Sequence, residues 1–161
     1  MGHIMLKLAS KIGALFTVVA FAAINGIFTT EASAESCAEN KLCLYENEYS
    51  AGRSLGVDQD ISDLRFSLYS FNDKASSASN ADIYNCYKLY QHISYQGTWV
   101  VLRPRGQAYS RISRLDRFNL NDQVSSIKKI PALLPGGIKN PDCYASLTSL
   151  PHWVAINEIF P

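Results

Sequence analysis

The phrase Asn-Asp-x-x-Ser-Ser occurs twice in this chain, and it constrains the fold more than any other feature. The copies are Asn72-Asp73-Lys74-Ala75-Ser76-Ser77 and Asn121-Asp122-Gln123-Val124-Ser125-Ser126, preceded by Phe71 and Leu120. Asn, Asp and Ser are common turn residues, so one copy would read as a turn. Two copies, each entering a strand-like run, point to an internal duplication, which has to be read before anything else. An acid and a hydroxyl three residues apart on a short polar loop offer oxygen ligands. Hard cations such as Ca²⁺ take 6–8 of them.

The duplication extends beyond the loops. Leu44-Tyr45-Glu46 matches Leu89-Tyr90-Gln91, and Gly52 and Gly97 stand at the same distance after Tyr45 and Tyr90. The second unit is longer, through a turn at Arg103-Pro104-Arg105-Gly106. One mismatch breaks the pattern: Tyr95 is five residues after Tyr90, whereas Tyr49 is four after Tyr45. The runs 42–46, 82–91, 98–103 and 124–130 are short and rich in Leu, Val, Ile, Tyr and Trp. Gly, Asn, Ser or Pro bound them. No stretch after residue 35 keeps a 3.6-residue apolar period, although 61–66 fits a single helical turn. These signals predict an all-β sandwich with Greek-key connections. The two glycines mark hairpins that fold back at positive φ, with the tyrosines at 45, 49, 90 and 95 packed beneath them.

Residues 1–34 read as a signal peptide. Lys7 and Lys11 give a positive start, 12–28 is mostly apolar, and Ala32-Ser33-Ala34 supplies the cleavage pattern. The remaining 127 residues suit one domain, divided into 35–130 and a C-terminal extension, 131–161, laid on it. A secreted or periplasmic location follows, with no stable membrane anchor after cleavage. Cys37, Cys43, Cys86 and Cys143 all lie beyond the signal, and in an oxidising compartment they form two disulfides. Of three possible pairings, Cys37–Cys43 with Cys86–Cys143 is chosen, the second tying the tail to the middle of the domain. A zinc site lacks a Cys-x-x-Cys and has only His92 and His152 left to contribute.

The part after residue 34 carries 13 basic and 13 acidic residues, which argues against a nucleic-acid partner. Arg103, Arg105, Arg111, Arg114 and Arg117 cluster, but Asp116 interrupts them, so they read as a solvated face. Catalysis finds no support: there is no Gly-x-Ser-x-Gly, no His-Glu-x-x-His and no phosphate-cradling loop. The chain is expected not to be an enzyme. Asp58, Asp60 and Asp63 lack the rest of an EF-hand and read as a capped turn or solvated loop. Past residue 130, Pro131, Pro135, Gly136, Gly137 and Pro141 mark an irregular connection, and Trp153-Val154-Ala155-Ile156 fits one more strand or a contact surface.

The hairpin Tyr90-Gln91-His92-Ile93-Ser94-Tyr95-Gln96-Gly97 and the two Asn-Asp-x-x-Ser-Ser loops resemble the βγ-crystallin superfamily, over about residues 42–130. The resemblance implies a sandwich of two Greek-key motifs that binds two Ca²⁺ ions in a crossed arrangement. One site would use the Asp73 side chain, the Lys74 carbonyl and the Ser125 hydroxyl. The other would use Asp122, the Gln123 carbonyl and Ser76. The backbone carbonyls of Glu46 and Gln91 would join them. One carboxylate per ion implies affinity of about 10⁻⁵ to 10⁻³ M, and Lys74 implies that the first site is the weaker.

A second resemblance concerns activity. Cys43-Leu44-Tyr45-Glu46, after a short cysteine loop and a signal peptide, is similar to the secreted bacterial inhibitors of peptidase inhibitor family I36, which include an inhibitor of thermolysin-type metalloproteases. It implies a reactive bond at Cys86-Tyr87, exposed and held rigid by the disulfide. Two functions therefore compete: a calcium-stabilised structural or binding module, and an inhibitor whose partner is a secreted protease. A protein that neutralises a toxin at the cell surface or in the periplasm is a third reading.

Overall fold

The computed structural model describes residues 37–66 and 69–149. The expected signal peptide and the strand around Trp153 lie outside the described residues. Among the described residues nine strands run in the order β1 (Leu42–Tyr45), β2 (Ser54–Val57), β3 (Ser77–Asn80), β4 (Asn85–His92), β5 (Gln96–Leu102), β6 (Arg111–Ile112), β7 (Ser126–Pro131), β8 (Leu133–Leu134) and β9 (Ile138–Lys139). One four-residue helix, α1 (Pro141–Tyr144), follows. Among the described residues no helix is long and apolar enough to cross a membrane.

Two antiparallel sheets face each other, one ordered β2-β1-β3-β6 and the other β5-β4-β7. The duplicated units are the two Greek keys; the second lends a strand to the first unit's sheet, and the first adds an isolated bridge to the edge of the second unit's sheet. β6 of the second unit pairs with β3 of the first, at Ala78↔Ile112 and Ser79↔Arg111. Ile61 of the first unit bridges Ile127 of the second, through two N–H···O bonds of 2.8 Å. That bridge replaces the helical turn expected over 61–66. Ile61 and Leu64 are buried, and partners on β7 outweigh a local turn.

Between the sheets lies one core that includes Leu42, Leu44, Phe71, Leu89, Val100 and Ile127. β3 contributes differently. Its residues Ser77, Ala78, Ser79 and Asn80 are all buried, although three are polar. Buried polar groups must find partners. Asn80 Nδ2 donates to the Asn85 and Arg103 carbonyls at 2.8 and 2.9 Å, and Asn80 Oδ1 accepts from Asp82 N–H.

A second, smaller core sits on the outer face of β4-β5-β7. Cys86, Val101, Ile130, Ala132 and Cys143 are buried there, with Trp99 and Tyr144 packed against them. The residues beyond β7 form this cover. The Leu147 carbonyl accepts from Val101 N–H at 2.8 Å. Asn140 caps α1 by accepting from Asp142 N–H. Disulfides join Cys37 to Cys43 and Cys86 to Cys143. Two disulfides fit an oxidising compartment.

Candidate functional site

Each hairpin bends back through two consecutive non-glycine residues at positive φ, followed by glycine. These are Tyr49 (57°), Ser50 (63°) and Gly52 (77°) in the first hairpin, and Ser94 (56°), Tyr95 (63°) and Gly97 (81°) in the second. Such φ values are uncommon outside glycine and need local support. The last serine of each Asn-Asp-x-x-Ser-Ser loop supplies it. Ser77 Oγ donates to the Asn47 carbonyl at 2.6 Å and accepts from Ser50 N–H at 3.0 Å. Ser126 Oγ does the same with the His92 carbonyl and Tyr95 N–H, at the same two distances. Sequence reasoning assigned these two serines no role. The signal was the invariant second Ser in both copies.

The remaining loop residues meet across the duplication. Ser125 Oγ donates to Asp73 Oδ1 at 3.1 Å, and Ser76 Oγ donates to Asp122 Oδ1 at 2.9 Å. The backbones cross in the same sense: Asp73 N–H to the Val124 carbonyl at 3.2 Å, and Asp122 N–H to the Ala75 carbonyl at 2.9 Å. Each carboxylate is also held by its own preceding asparagine. Asn72 Nδ2 bonds Asp73 Oδ2 at 2.6 Å and Asn121 Nδ2 bonds Asp122 Oδ2 at 3.0 Å. Ser76 and Ser125 N–H groups bond the Tyr45 and Tyr90 carbonyls, both at 2.9 Å, which brings each loop against the residue before Glu46 or Gln91.

Not every sequence-predicted residue is held alike. Gln91 Nε2 bonds Gln123 Oε1 at 2.6 Å, linking hairpin and loop in the second unit. In the first unit the Glu46 side chain pairs instead with Arg53 at 2.9 Å, and Lys74 Nζ turns to the Ser70 carbonyl at 3.0 Å. The Lys74 and Gln123 carbonyls accept no hydrogen bond among the described residues. Asn72 Oδ1 is buried without a hydrogen-bond partner among the described residues. An all-oxygen donor set with uncommitted carbonyls suits a hard cation. Among the described residues no three His, Cys, Asp or Glu side chains gather as they would for a carboxylate-rich or transition-metal centre.

Two expectations are corrected. Cys86 and Tyr87 are both fully buried. They lie in β4, the central strand of its sheet, with Tyr87 paired to Leu102 on one side and Lys129 on the other. A bond hydrogen-bonded into a sheet on both edges cannot enter a protease cleft, so Cys86-Tyr87 is not an exposed reactive bond. Tyr49 does not pack beneath its hairpin. It is 67% exposed. Its backbone conformation matches that of Ser94, and the place held by Tyr95 in the second hairpin falls to Ser50.

Asp82, on the connection from β3 to β4, was read only as the start of a strand. It is 1% exposed and accepts from Tyr84 N–H, Asn85 N–H, Asn85 Nδ2 and the Tyr87 hydroxyl. Lys129 Nζ lies 3.4 Å away. Burial disfavours the charged carboxylate, but the bonds from Tyr84 and Asn85 and the Lys129 charge outweigh it and hold the pKa below the usual Asp range. Burial, then the Asp82 charge, pushes the Tyr87 hydroxyl up. Asp60 and Asp63 also make structural bonds, to Lys129 N–H at 2.7 Å and to Arg65.

Comparison with solved structures decides the fold. A βγ-crystallin domain studied for the evolution of the eye-lens βγ-crystallin domain fold is 24% identical and superimposes with a TM-score of 0.51, covering 58% of this chain and 88% of that one. The chain has the βγ-crystallin fold. Weaker superpositions include the βγ-crystallin from Ciona intestinalis, at 22% identity, 55% and 98% coverage and TM-score 0.46. The N-terminal domain of protein S gives 19%, 58%, 99% and 0.48 in the same order. The model of peptidase inhibitor family I36 matches residues 30–102, which takes in the first Greek key and β4 and β5 of the second. The chain is thus similar to that family over less than half its length. No curated protein matches it.

Proposed function

We propose that this βγ-crystallin-fold chain is an exported, non-catalytic calcium-binding module. The observation that carries the reading is the reciprocal pairing of Asp73 with Ser125 and of Asp122 with Ser76, at 3.1 and 2.9 Å. Two loops distant in sequence are already interlocked, each hydroxyl at the other's carboxylate. Asp73, Ser125 and the Lys74 and Glu46 carbonyls would hold one ion; Asp122, Ser76 and the Gln123 and Gln91 carbonyls would hold the other. Bound Ca²⁺ would neutralise each carboxylate and cross-link the units. In this reading residues 1–34 are the signal peptide, 35–130 the module and 131–161 the extension. The Cys86–Cys143 bond ties the extension to the module.

Calorimetric titration of the calcium-free, disulfide-bonded protein tests it. Two ions per chain are expected, with a melting-temperature rise. At calcium a hundredfold above Kd each site adds about 2.7 kcal/mol of stability. Asp73→Ala and Asp122→Ala should each lower the stoichiometry. No heat and no thermal shift in millimolar calcium would reduce the loops to turns.

A second reading, inhibition of a secreted protease, is favoured by the family I36 match over residues 30–102. Its contact surface must lie away from Cys86-Tyr87. Incubation with a panel of secreted proteases, thermolysin-type enzymes included, tests it. Stoichiometric inhibition supports the reading, and full residual activity against every enzyme of the panel rejects it.

A further inference from the structure

Three tyrosines sit at positive φ among the described residues: Tyr49 (57°), Tyr95 (63°) and Tyr109 (65°). A bulky side chain in that region is an outlier that needs a reason. Tyr95 has one, because its ring packs edge-on against Tyr90, centroids 5.7 Å apart. Tyr49 has no such contact and is 67% exposed. Tyr109 is half-buried, with the Arg103 guanidinium 5.5 Å from its ring centroid. Tyr49 and Tyr109 line one groove of about 320 Å³, together with Arg111, Ser113, Arg114 and Arg117. Tyr49 N–H donates to the Ser113 carbonyl at 2.8 Å, which fixes the hairpin bend against the end of β6. Ligand pockets run from about 300 to 1,000 Å³, and strained backbone collects at ligand sites.

The charges around the groove say what it would take. Arg114 pairs with Glu48 at 3.4 Å and also with Asp116. Arg111 is exposed and makes no ion pair among the described residues. Three guanidinium groups beside two carboxylates leave the groove cationic. A guanidinium binds a carboxylate through paired N–H donors. An exposed tyrosine adds a flat apolar face with a hydroxyl at its tip. A sugar ring matches that, with a C–H face on one side and hydroxyls at its edge, and a uronic acid supplies the carboxylate. We propose that this groove binds a uronate residue. The C–H face of the sugar lies on the Tyr49 ring, and the carboxylate meets the Arg111 fork. The same chemistry is presented by a free uronate and by an acidic polysaccharide chain.

The test is an amide-shift titration of the full disulfide-bonded protein at fixed calcium and ionic strength, with a hyaluronan tetrasaccharide as probe. Saturable shifts are expected at Tyr49, Arg111 and Ser113, with neutral chitotetraose binding at least about fivefold more weakly. Tyr49→Ser should weaken binding by about fivefold through the lost ring face. Arg111→Gln should weaken it by up to about fivefold. Both changes are at exposed positions, and unchanged melting temperatures show that the fold is kept. Tighter binding of the tetrasaccharide than of free glucuronate assigns the groove to a polysaccharide; equal affinity assigns it to the free acid. No saturation in the millimolar range, an equal response to chitotetraose, or unchanged binding in both variants overturns the proposal.

Discussion

The two hairpins of this molecule have nearly the same backbone and different interiors. Both reach positive φ at the same two steps, both end on a glycine, and both are latched by a buried serine at 2.6 and 3.0 Å. In one, a tyrosine ring completes the bend. In the other, a tyrosine one residue earlier points to solvent and a serine leaves a groove. The lesson is that main-chain geometry here is set by hydrogen bonds from the loop. The aromatic residue is not needed to form the hairpin, so it is free to be traded for another use.

The largest effect should come where the units are least alike. Asp82 leaves the first unit at the position that Pro131 holds in the second. Asp82→Ala should cost about 2–3 kcal/mol, because it strips partners from the part-buried Tyr84 and Asn85 N–H groups, from the buried Tyr87 hydroxyl and from Lys129. Pro131→Ala, at an exposed position, should stay within about 0.5 kcal/mol. Urea unfolding at neutral pH measures both. Because the Asp82 pKa is lower folded than unfolded, its stabilisation is present above about pH 4 and is lost as pH falls through the folded value. Asp82→Ala should therefore flatten the acid limb of the stability–pH curve.

Next in size is the aromatic swap. Tyr95→Ser, which gives the second hairpin the first one's side chain, should cost about 2 kcal/mol in lost ring packing and burial. Tyr49→Ser should stay within about 0.5 kcal/mol. Equal losses would mean that the exposed tyrosine packs as its partner does. Gly52→Ala and Gly97→Ala should then cost about 1–2 kcal/mol each and about the same amount, if the backbones are equivalent. An added Cβ would stand 2.8 Å from Asn47 Nδ2 at Gly52 and 2.7 Å from His92 Cδ2 at Gly97.

The smallest expected difference concerns the proposed ion sites. Lys74 and Gln123 are equivalent, and only Lys74 is charged. Lys74→Gln should tighten the first site by up to about fivefold at low salt, less as salt is added. The calorimetric titration resolves it as a narrowing of the gap between two binding events. An unchanged gap would mean that the Lys74 ammonium, drawn to the Ser70 carbonyl, does not act on its own loop.

The strands over residues 85–92, 96–102 and 126–131 were legible because their apolar content is high and turn residues bound them. β3 was not, because a strand buried on every side was built from Ser, Ala, Ser and Asn. Its burial depends on side-chain amide and hydroxyl bonds to residues far along the chain, such as Arg103. β6, β8 and β9 are two residues each, too short for any period to show. The reactive-bond expectation failed for a related reason. A cysteine before a tyrosine looks the same in a sequence whether its strand is an edge or a centre.

What the sequence determined by itself was the duplication: two loops of oxygen-bearing residues, two glycine-ended hairpins and an all-β sandwich. These are local patterns, and local chemistry recurs wherever the same residues do. Tertiary structure alone decided that β6 of the second unit joins the first unit's sheet, that Ile61 bridges Ile127, and that the expected partners Asp73 and Ser125, and Asp122 and Ser76, bond each other directly at 3.1 and 2.9 Å. It also decided that Tyr49 faces outward, that Cys86-Tyr87 is sealed inside a sheet, and that Asp82 is a buried hub. Each of these depends on which surfaces remain after two sheets have packed. That is a property of contacts between distant residues, and no window along the chain contains it.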